Sequence, residues 1–333
     1  MKIPSLRIIL SLLLFFVLLQ IPLKCSSQLW TPPTNNPIEL GLVNWERDYE
    51  KALAKAKKTN KPVFILFQEV PGCATCTNYG KEVMSHPLLV EAIETYFIPL
   101  CVYNNKKGAD ATVLKLYGEP SWNNPVVRIV DSNGTNLIRR VSGDYSLGKA
   151  TNAIVEALYI TKNTIPEYIN ILHEEANTSK TEEVILGMYC FWSGEKTLAT
   201  MAGVQKTEAG FMGGTEVVKV VFNPEIIDKK TLIKKARKKQ CADVVFDDER
   251  VTDLVEVKQK RKYRKDPETK YYLYNSVYRN IPMTPLQALR VNYDLSTRNN
   301  PDRLLSTRQL ALKGKSTKNL IGMEVLESWL REY

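Results

Sequence analysis

Two short stretches of the chain could do sulfur chemistry. The first is Cys73-Ala74-Thr75-Cys76, two cysteines three apart where an apolar stretch hands over to a helical one. Such a pair can close a strained, easily reversed disulfide. The dipole and free N–H groups of a helix start would lower the pKa of Cys73. Cys73 would then be the attacking thiolate and Cys76 the resolving thiol. A static disulfide or half of a metal site is the alternative, although no second well-spaced pair is present to complete a zinc site. The second stretch is Met188-Tyr-Cys-Phe-Trp-Ser-Gly-Glu-Lys196, which sets Phe191 and Trp192 directly against Cys190. By itself that triplet reads either as ordinary core or as a dry, flat-walled pocket around a working thiol.

The elements that would hold these residues follow from periodicity. Trp45, Tyr49, Leu53 and Ala56 fall at helical spacing, and residues 62–67 form a short apolar strand leading to Cys73. Helical sequence resumes through Tyr79 and Val83, residues 97–103 form a second buried strand, and 123–143 read as a hairpin turning at Ser132-Asn133-Gly134. A helix at 147–160 closes this α/β set. Residues 161–180 read as a linker carrying a helical turn or two. Then follow strand 182–189, a helix from Cys190 to about Ala202, strands 204–211 and 216–222, helix 228–239 and strand 242–246. That order is β-α-β-β-α-β, the split ferredoxin-like arrangement.

The bulk numbers bound the function. A chain of 333 residues suits two compact domains. Six cysteines are too sparse for a disulfide-stapled scaffold of this length, and two histidines offer no metal cage, so no cofactor or metal is expected. The net charge of +10 includes dense runs at 229–240 and 258–265. Without a finger, recognition helix or aromatic RNA-binding pattern, these read as a solvated helix face and a basic loop, and no nucleic-acid partner is expected. At the start, Met1–Arg7 is basic and 8–23 is apolar, a few residues short of a comfortable span. Residues 1–27 therefore read as a secretory signal, which puts the folded part outside the cytoplasm, periplasmic or secreted. Retention as a membrane anchor through 8–23 is the alternative.

Trp45 with its helix, Lys-Pro-Val-Phe-Ile-Leu-Phe, the Cys-x-x-Cys and Asn124-Pro125 before the next strand together resemble a thioredoxin-like domain over roughly 44–160. The resemblance implies that Pro125 is the proline lying against the redox pair, cis in that family. Val70-Pro71-Gly72-Cys73 is similar to a thioredoxin-like group marked by Val-Pro-Gly before a Cys or selenocysteine. The usual Trp-Cys-Gly-Pro is absent.

The text around Cys190 resembles the A-type peptide methionine sulfoxide reductases. Cys-Phe-Trp-Ser-Gly-Glu, then Gly203-Val-Gln-Lys-Thr-Glu-Ala-Gly-Phe-Met-Gly-Gly214, then a strand opened by Glu216 and ending Asn223-Pro224 follow that family's order over about sixty residues. The resemblance implies that Cys190 is the nucleophile, Phe191 and Trp192 the walls around the substrate methyl, and Glu216, rather than the nearer Glu195, the acid. Attack on a sulfoxide needs a proton for the departing oxygen, and it leaves a sulfenic acid for a second thiol to resolve. Cys241 could be that thiol or a buried small hydrophobe. Tyr189 and Ser193 replace family glycines, and a loop of some twenty residues before the glutamate is missing. The family's later Asp-His-Gly-Thr-Gln-Tyr has no clear equal, although Tyr271, Tyr272 or Tyr274 could supply its hydroxyl.

The expected organisation is a signal peptide (1–27), a leader (28–43), a thioredoxin-like domain (44–160), a linker (161–181), a shortened ferredoxin-like reductase domain (182–255) and a basic, tyrosine-rich extension (256–333). The expected function is reduction of methionine-S-sulfoxide in oxidised peptides or proteins, a protein-repair activity. The first domain, or an external thiol reductant or thioredoxin-like donor, would supply electrons. A thiol–disulfide oxidoreductase with a client-recognition domain, and a non-catalytic binding module, are the alternatives.

Overall fold

The computed structural model describes residues 31–122, 125–162, 164–249 and 251–315; the segment 1–27 lies outside them. Among the described residues no helix is long and apolar enough to cross a membrane. The first sheet is built around β1 (Val63–Gln68), which pairs in parallel with β2 (Ile98–Tyr103) and antiparallel with β3 (Val126–Val130). Every residue of β1 is buried, as the apolar run Val63–Phe67 requires of a strand covered on both faces, and the polar Gln68 ends it. Helix α1 (Tyr49–Thr59) starts where the Asp48 side chain accepts from the Lys51 amide, and it lays Ala52 and Ala56 into the core. Around the sheet stand α2 (Ala74–Asn78, continued by a π-turn Tyr79–Val83), α3 (Pro87–Tyr96), α4 (Ala109–Tyr117) and α5 (Leu147–Lys162).

Two expectations change here. The stretch expected as a hairpin at 123–143 holds one regular strand, β3. Its return leg meets β3 through the isolated Val127–Val141 and Val130–Asn136 bridges and a bond from the Leu137 amide to the Ile129 carbonyl. The stretch 161–180 carries a full helix, α6 (Glu167–Ala176), whose Tyr168, Ile169, Ile171 and Leu172 are buried. It packs on α3 and α5.

The second sheet has six strands in the order β8-β7-β4-β6-β5-β9. Its centre, β7 (Val244–Phe246), β4 (Glu182–Gly187), β6 (Thr215–Phe222) and β5 (Val204–Met212), is antiparallel throughout. With α7 (Phe191–Leu198) and α8 (Lys229–Lys238) it realises the βαββαβ order. The expected extension supplies both outer strands. β8 (Glu256–Lys258) runs parallel with β7, and β9 (Tyr263–Lys265) antiparallel to β5. The same stretch then forms α9 (Tyr271–Tyr274), α10 (Pro285–Ser296) and α11 (Thr307–Leu310).

Four residues, 259–262, therefore carry the chain from one edge of this sheet to the other. Five flat strand spacings would span about 24 Å. The five Cα steps from Lys258 to Tyr263 reach at most about 19 Å. The sheet must curl, and a small apolar cluster of Ile185, Met212, Val217, Val244 and Phe246, with Tyr263 packed against it, lies apart from the main core. The main core, with Leu186, Val218, Phe222, Leu232 and Leu289, includes residues of α8 and α10.

The two sheets meet through α6 and α11. The Arg308 amide donates to Glu91 Oε1 at 2.9 Å, and its guanidinium pairs with Glu94. Beside this junction lies a cavity of about 390 Å³ lined by His86, Glu175, Gln205 and Thr284 among others.

Candidate active site

The loop between β1 and α2 is tightly held. Glu39, in a one-turn helix Ile38–Leu40 of the leader, accepts the Gly72 amide at 2.8 Å. Asn105 brackets Val70 and Pro71 with two 3.3 Å bonds. The Val70–Pro71 peptide is cis. A Cβ on Gly72 would meet Cys76 Cβ at 2.6 Å, so only glycine lets the loop close on the second cysteine. Gln68, buried at the end of β1, donates to the carbonyls of Glu39 and Cys76.

Cys73 occupies the N-cap of α2, exposed, with its sulfur 3.8 Å from that of the buried Cys76. A hydrogen bond from the Cys76 amide holds the Cys73 thiol below its ordinary pKa. Burial pushes Cys76 up to about 11. The two thiols are thus driven apart by their surroundings, the outer one toward thiolate and the inner one toward thiol. Pro125 is buried at the entry to β3, and the peptide bond before it involves Asn124, outside the described residues.

Cys190 is the N-cap of α7, half-buried, in extended backbone at φ −137°. Tyr189 beside it points into solvent at 94% exposure. Glu216 is tied to this junction twice. Its carbonyl accepts the Met188 amide at 3.0 Å, and its Oε2 accepts the Phe191 amide at 2.9 Å. It reaches that place because Gly213 and Gly214, both at positive φ, make a two-residue hairpin turn with Met212 opposite Thr215. Glu216 is thus the second residue of β6, with only Thr215 between it and Gly214.

The aromatics form a continuous wall. Phe191 is buried edge-on against Trp192 (5.6 Å) and against Phe211 (5.2 Å). Trp192 stacks on Tyr271 of α9, with ring centroids 4.1 Å apart and planes at 24°. Its indole N–H donates to Asp266 Oδ2 at 3.3 Å.

Glu195, one turn along α7, is fully buried and committed to structure. It accepts from Thr207 Oγ1 (3.1 Å), Thr269 Oγ1 (3.3 Å), the Lys270 amide and Lys270 Nζ (both 2.7 Å). This buried ion pair fastens residues 266–271 against α7. Cys241 is buried in the main core, its Sγ 3.3 Å from the Lys239 carbonyl, and burial pushes its thiol up. Cys101 lies wholly inside β2 and is pushed up to about 12 by burial.

Residues 44–132 match the family model described as thioredoxin-like. Around Cys190 the chain is similar to curated reductases. It is 36% identical over 72 residues to the peptide methionine sulfoxide reductase MsrA of Methanococcus maripaludis (strain C5), covering 16% of this chain and 46% of that protein. It is 37% identical over 71 residues to the mitochondrial peptide methionine sulfoxide reductase of Bos taurus, covering 16% and 30%. The chain thus spans less than half the length of these relatives. Among solved structures, DsbH oxidoreductase aligns at 18% identity and a TM-score of 0.28, over 34% of this chain and 81% of its own. A thioredoxin-like domain is therefore joined to an MsrA-like segment in one α/β chain.

Side chains that touch α7 also come from beyond the 182–255 stretch, in residues 266–271. Asp266, Thr269 and Tyr271 keep the Asp-x-x-Thr-x-Tyr spacing of Asp-His-Gly-Thr-Gln-Tyr, and all three touch α7 side chains. Lys270 stands where that motif has glutamine. The signal was the spacing alone, masked by Pro267, Glu268 and Lys270 and by the surrounding tyrosines.

Proposed function

We propose that the protein is an exported reductase of methionine-S-sulfoxide in peptides or proteins, with Cys190 as nucleophile. The observation that carries this reading is the placement of Glu216 at the same strand–helix junction as Cys190, beside a wall of Phe191, Trp192 and Tyr271. The Cys190 sulfur attacks the sulfoxide sulfur, Glu216 gives a proton to the sulfoxide oxygen, and the aromatic wall holds the methyl group in a dry site. The oxygen passes to Cys190 as a sulfenic acid and the thioether leaves. A thiol then condenses with the sulfenic acid, releasing water and forming a disulfide. A dithiol reduces that disulfide and takes the oxidising equivalents as its own disulfide. Cys73 and Cys76 are suited to be that dithiol, since the outer thiol is activated and the inner one kept in reserve. Cys241, buried, can resolve the sulfenic acid only if the end of α8 opens.

Export rests on residues 1–27 alone. The exposed, activated Cys73 favours a second reading, thiol–disulfide exchange with outside clients. The deciding assay follows reduction of a peptide carrying methionine-S-sulfoxide by the purified chain with dithiothreitol. Loss of activity in Cys190→Ser, with the fold kept, supports the reductase. A wild-type chain that reduces insulin disulfides but leaves the sulfoxide untouched moves the assignment to the second reading.

A further inference from the structure

The loop that places the dithiol also brings a carboxylate to it. Glu69, Cys73 and Cys76 have ligand atoms all within 4.8 Å of one another. Glu69 follows β1 directly, and its backbone N–H bonds the Cys76 thiol, so the strand end fixes its place. Among the described residues no cation or hydrogen-bond donor meets the Glu69 carboxylate. The 3.8 Å between the two sulfurs is far longer than a disulfide. It equals the separation of about 3.8 Å that two sulfurs span when each lies about 2.3 Å from one tetrahedral ion.

We propose that Glu69, Cys73 and Cys76 form a zinc site, with two thiolates and one carboxylate as ligands and the fourth position open to water or a client's thiol. Two sulfurs and one oxygen suit a borderline-soft, tetrahedral ion better than magnesium or calcium, which prefer oxygen alone. Binding forms two Zn–S bonds and one Zn–O bond and releases to solvent whatever protons the two thiols still carry, and no electron moves. Oxidation of the pair removes both sulfur ligands at once, so zinc binding and disulfide formation exclude each other. Zinc on this site would hold the dithiol reduced and out of any relay. Glu69 stands outside the Cys-x-x-Cys pattern, which is why sequence reading saw only half a site.

The experiment uses the full, reduced chain, titrated without oxygen with Co²⁺ as the spectroscopic probe and then with Zn²⁺. The expected result is one equivalent of cobalt showing sulfur-to-metal charge transfer and tetrahedral d–d bands, displaced by zinc. Cys73→Ser and Cys76→Ser should each abolish the charge-transfer signal, while Cys190→Ser keeps it. Glu69→Gln should weaken zinc by about tenfold or more, as loss of a supporting group at a metal does. Diamide, which takes two electrons and two protons from the dithiol, should release the ion. No stoichiometric signal, a signal that survives Cys73→Ser, or unchanged zinc affinity in Glu69→Gln overturns the site. Circular dichroism of each variant separates lost ligands from lost fold. None of these readouts needs sulfoxide reduction, so this site and the proposed activity fail independently.

Discussion

Trp192 and Tyr271 stack with ring centroids 4.1 Å apart, although they belong to helices far apart in sequence. Under the proposed function, the stack makes Tyr271 part of the aromatic wall that would hold the substrate. Such a pair is worth about 0.5–1.5 kcal/mol beyond its buried area. Tyr271→Ala should raise KM for a sulfoxide peptide by roughly two- to tenfold on that scale. Steady-state kinetics of Tyr271→Phe separates the ring from its hydroxyl: a lower kcat with KM kept assigns work to the hydroxyl.

Glu216 accepts the Phe191 amide, a bond that the Oε1 of glutamine can also accept. Glu216→Gln should therefore keep the fold while removing the proton donor. Single-turnover sulfoxide reduction should slow by about 10²–10⁴-fold, the usual worth of a general acid. An unchanged single-turnover rate removes Glu216 from the chemistry.

The Glu195–Lys270 pair is buried on both sides, so removing one partner strands the other. Lys270→Met should cost about 3–5 kcal/mol in urea unfolding. Glu195→Gln together with Lys270→Met should recover much of it, because no charge is then left buried. A double variant no better than Lys270→Met would mean that the loss comes from the missing clamp on 266–271 and not from a stranded charge.

Cys73→Ser should leave single-turnover reduction at Cys190 intact and stop turnover driven by a thioredoxin-type reductant. Rapid-quench measurement of both steps checks this. Equal loss of the two would show that the thioredoxin-like domain supports the fold of the other half rather than its electron supply.

Burial raises Glu175 to about 7, above its ordinary value of 4.5. Between these values the native state holds the proton that the unfolded chain has lost, so this group lowers stability as pH rises from about 4.5 to about 7. Its contribution levels off above that. Glu175→Gln should abolish this slope and be the more stable chain at pH 8, by on the order of 3 kcal/mol. His86, held down to about 4 by burial, acts with the opposite sign between about 4 and 6.5. The difference between the two chains isolates Glu175. Urea unfolding at pH 5 and pH 8 is the measurement, and parallel pH curves for the two chains would reject it.

Strong periodicity and capping made the scaffold legible. The apolar run of β1, the Gly-Gly turn before β6 and the amphipathic α8 stand close to where their residues put them. What escaped is what long-range contact decides. β8 and β9 are three residues each, and most of their side chains are charged, so neither carries an alternation to read. Helix α6 looked like a linker because half of it is polar, and its apolar half is explained only by what it packs on. Around Cys190 the sequence named Phe191, Trp192 and Glu216 together. It missed Asp266 and left Tyr271 as one of three candidate tyrosines, because their partner is a tryptophan that only the curled sheet brings near.

The four residues that bridge the mouth of that sheet have a consequence for how the protein is made. A ribosome releases Cys190 well before 259–271, so the nascent chain has its thiol while both strand edges are open and the indole has no roof. The thiol is synthesised early and the last ring of the aromatic wall late. An oxidant met in that interval reaches Cys190 before Tyr271 stands over the neighbouring indole.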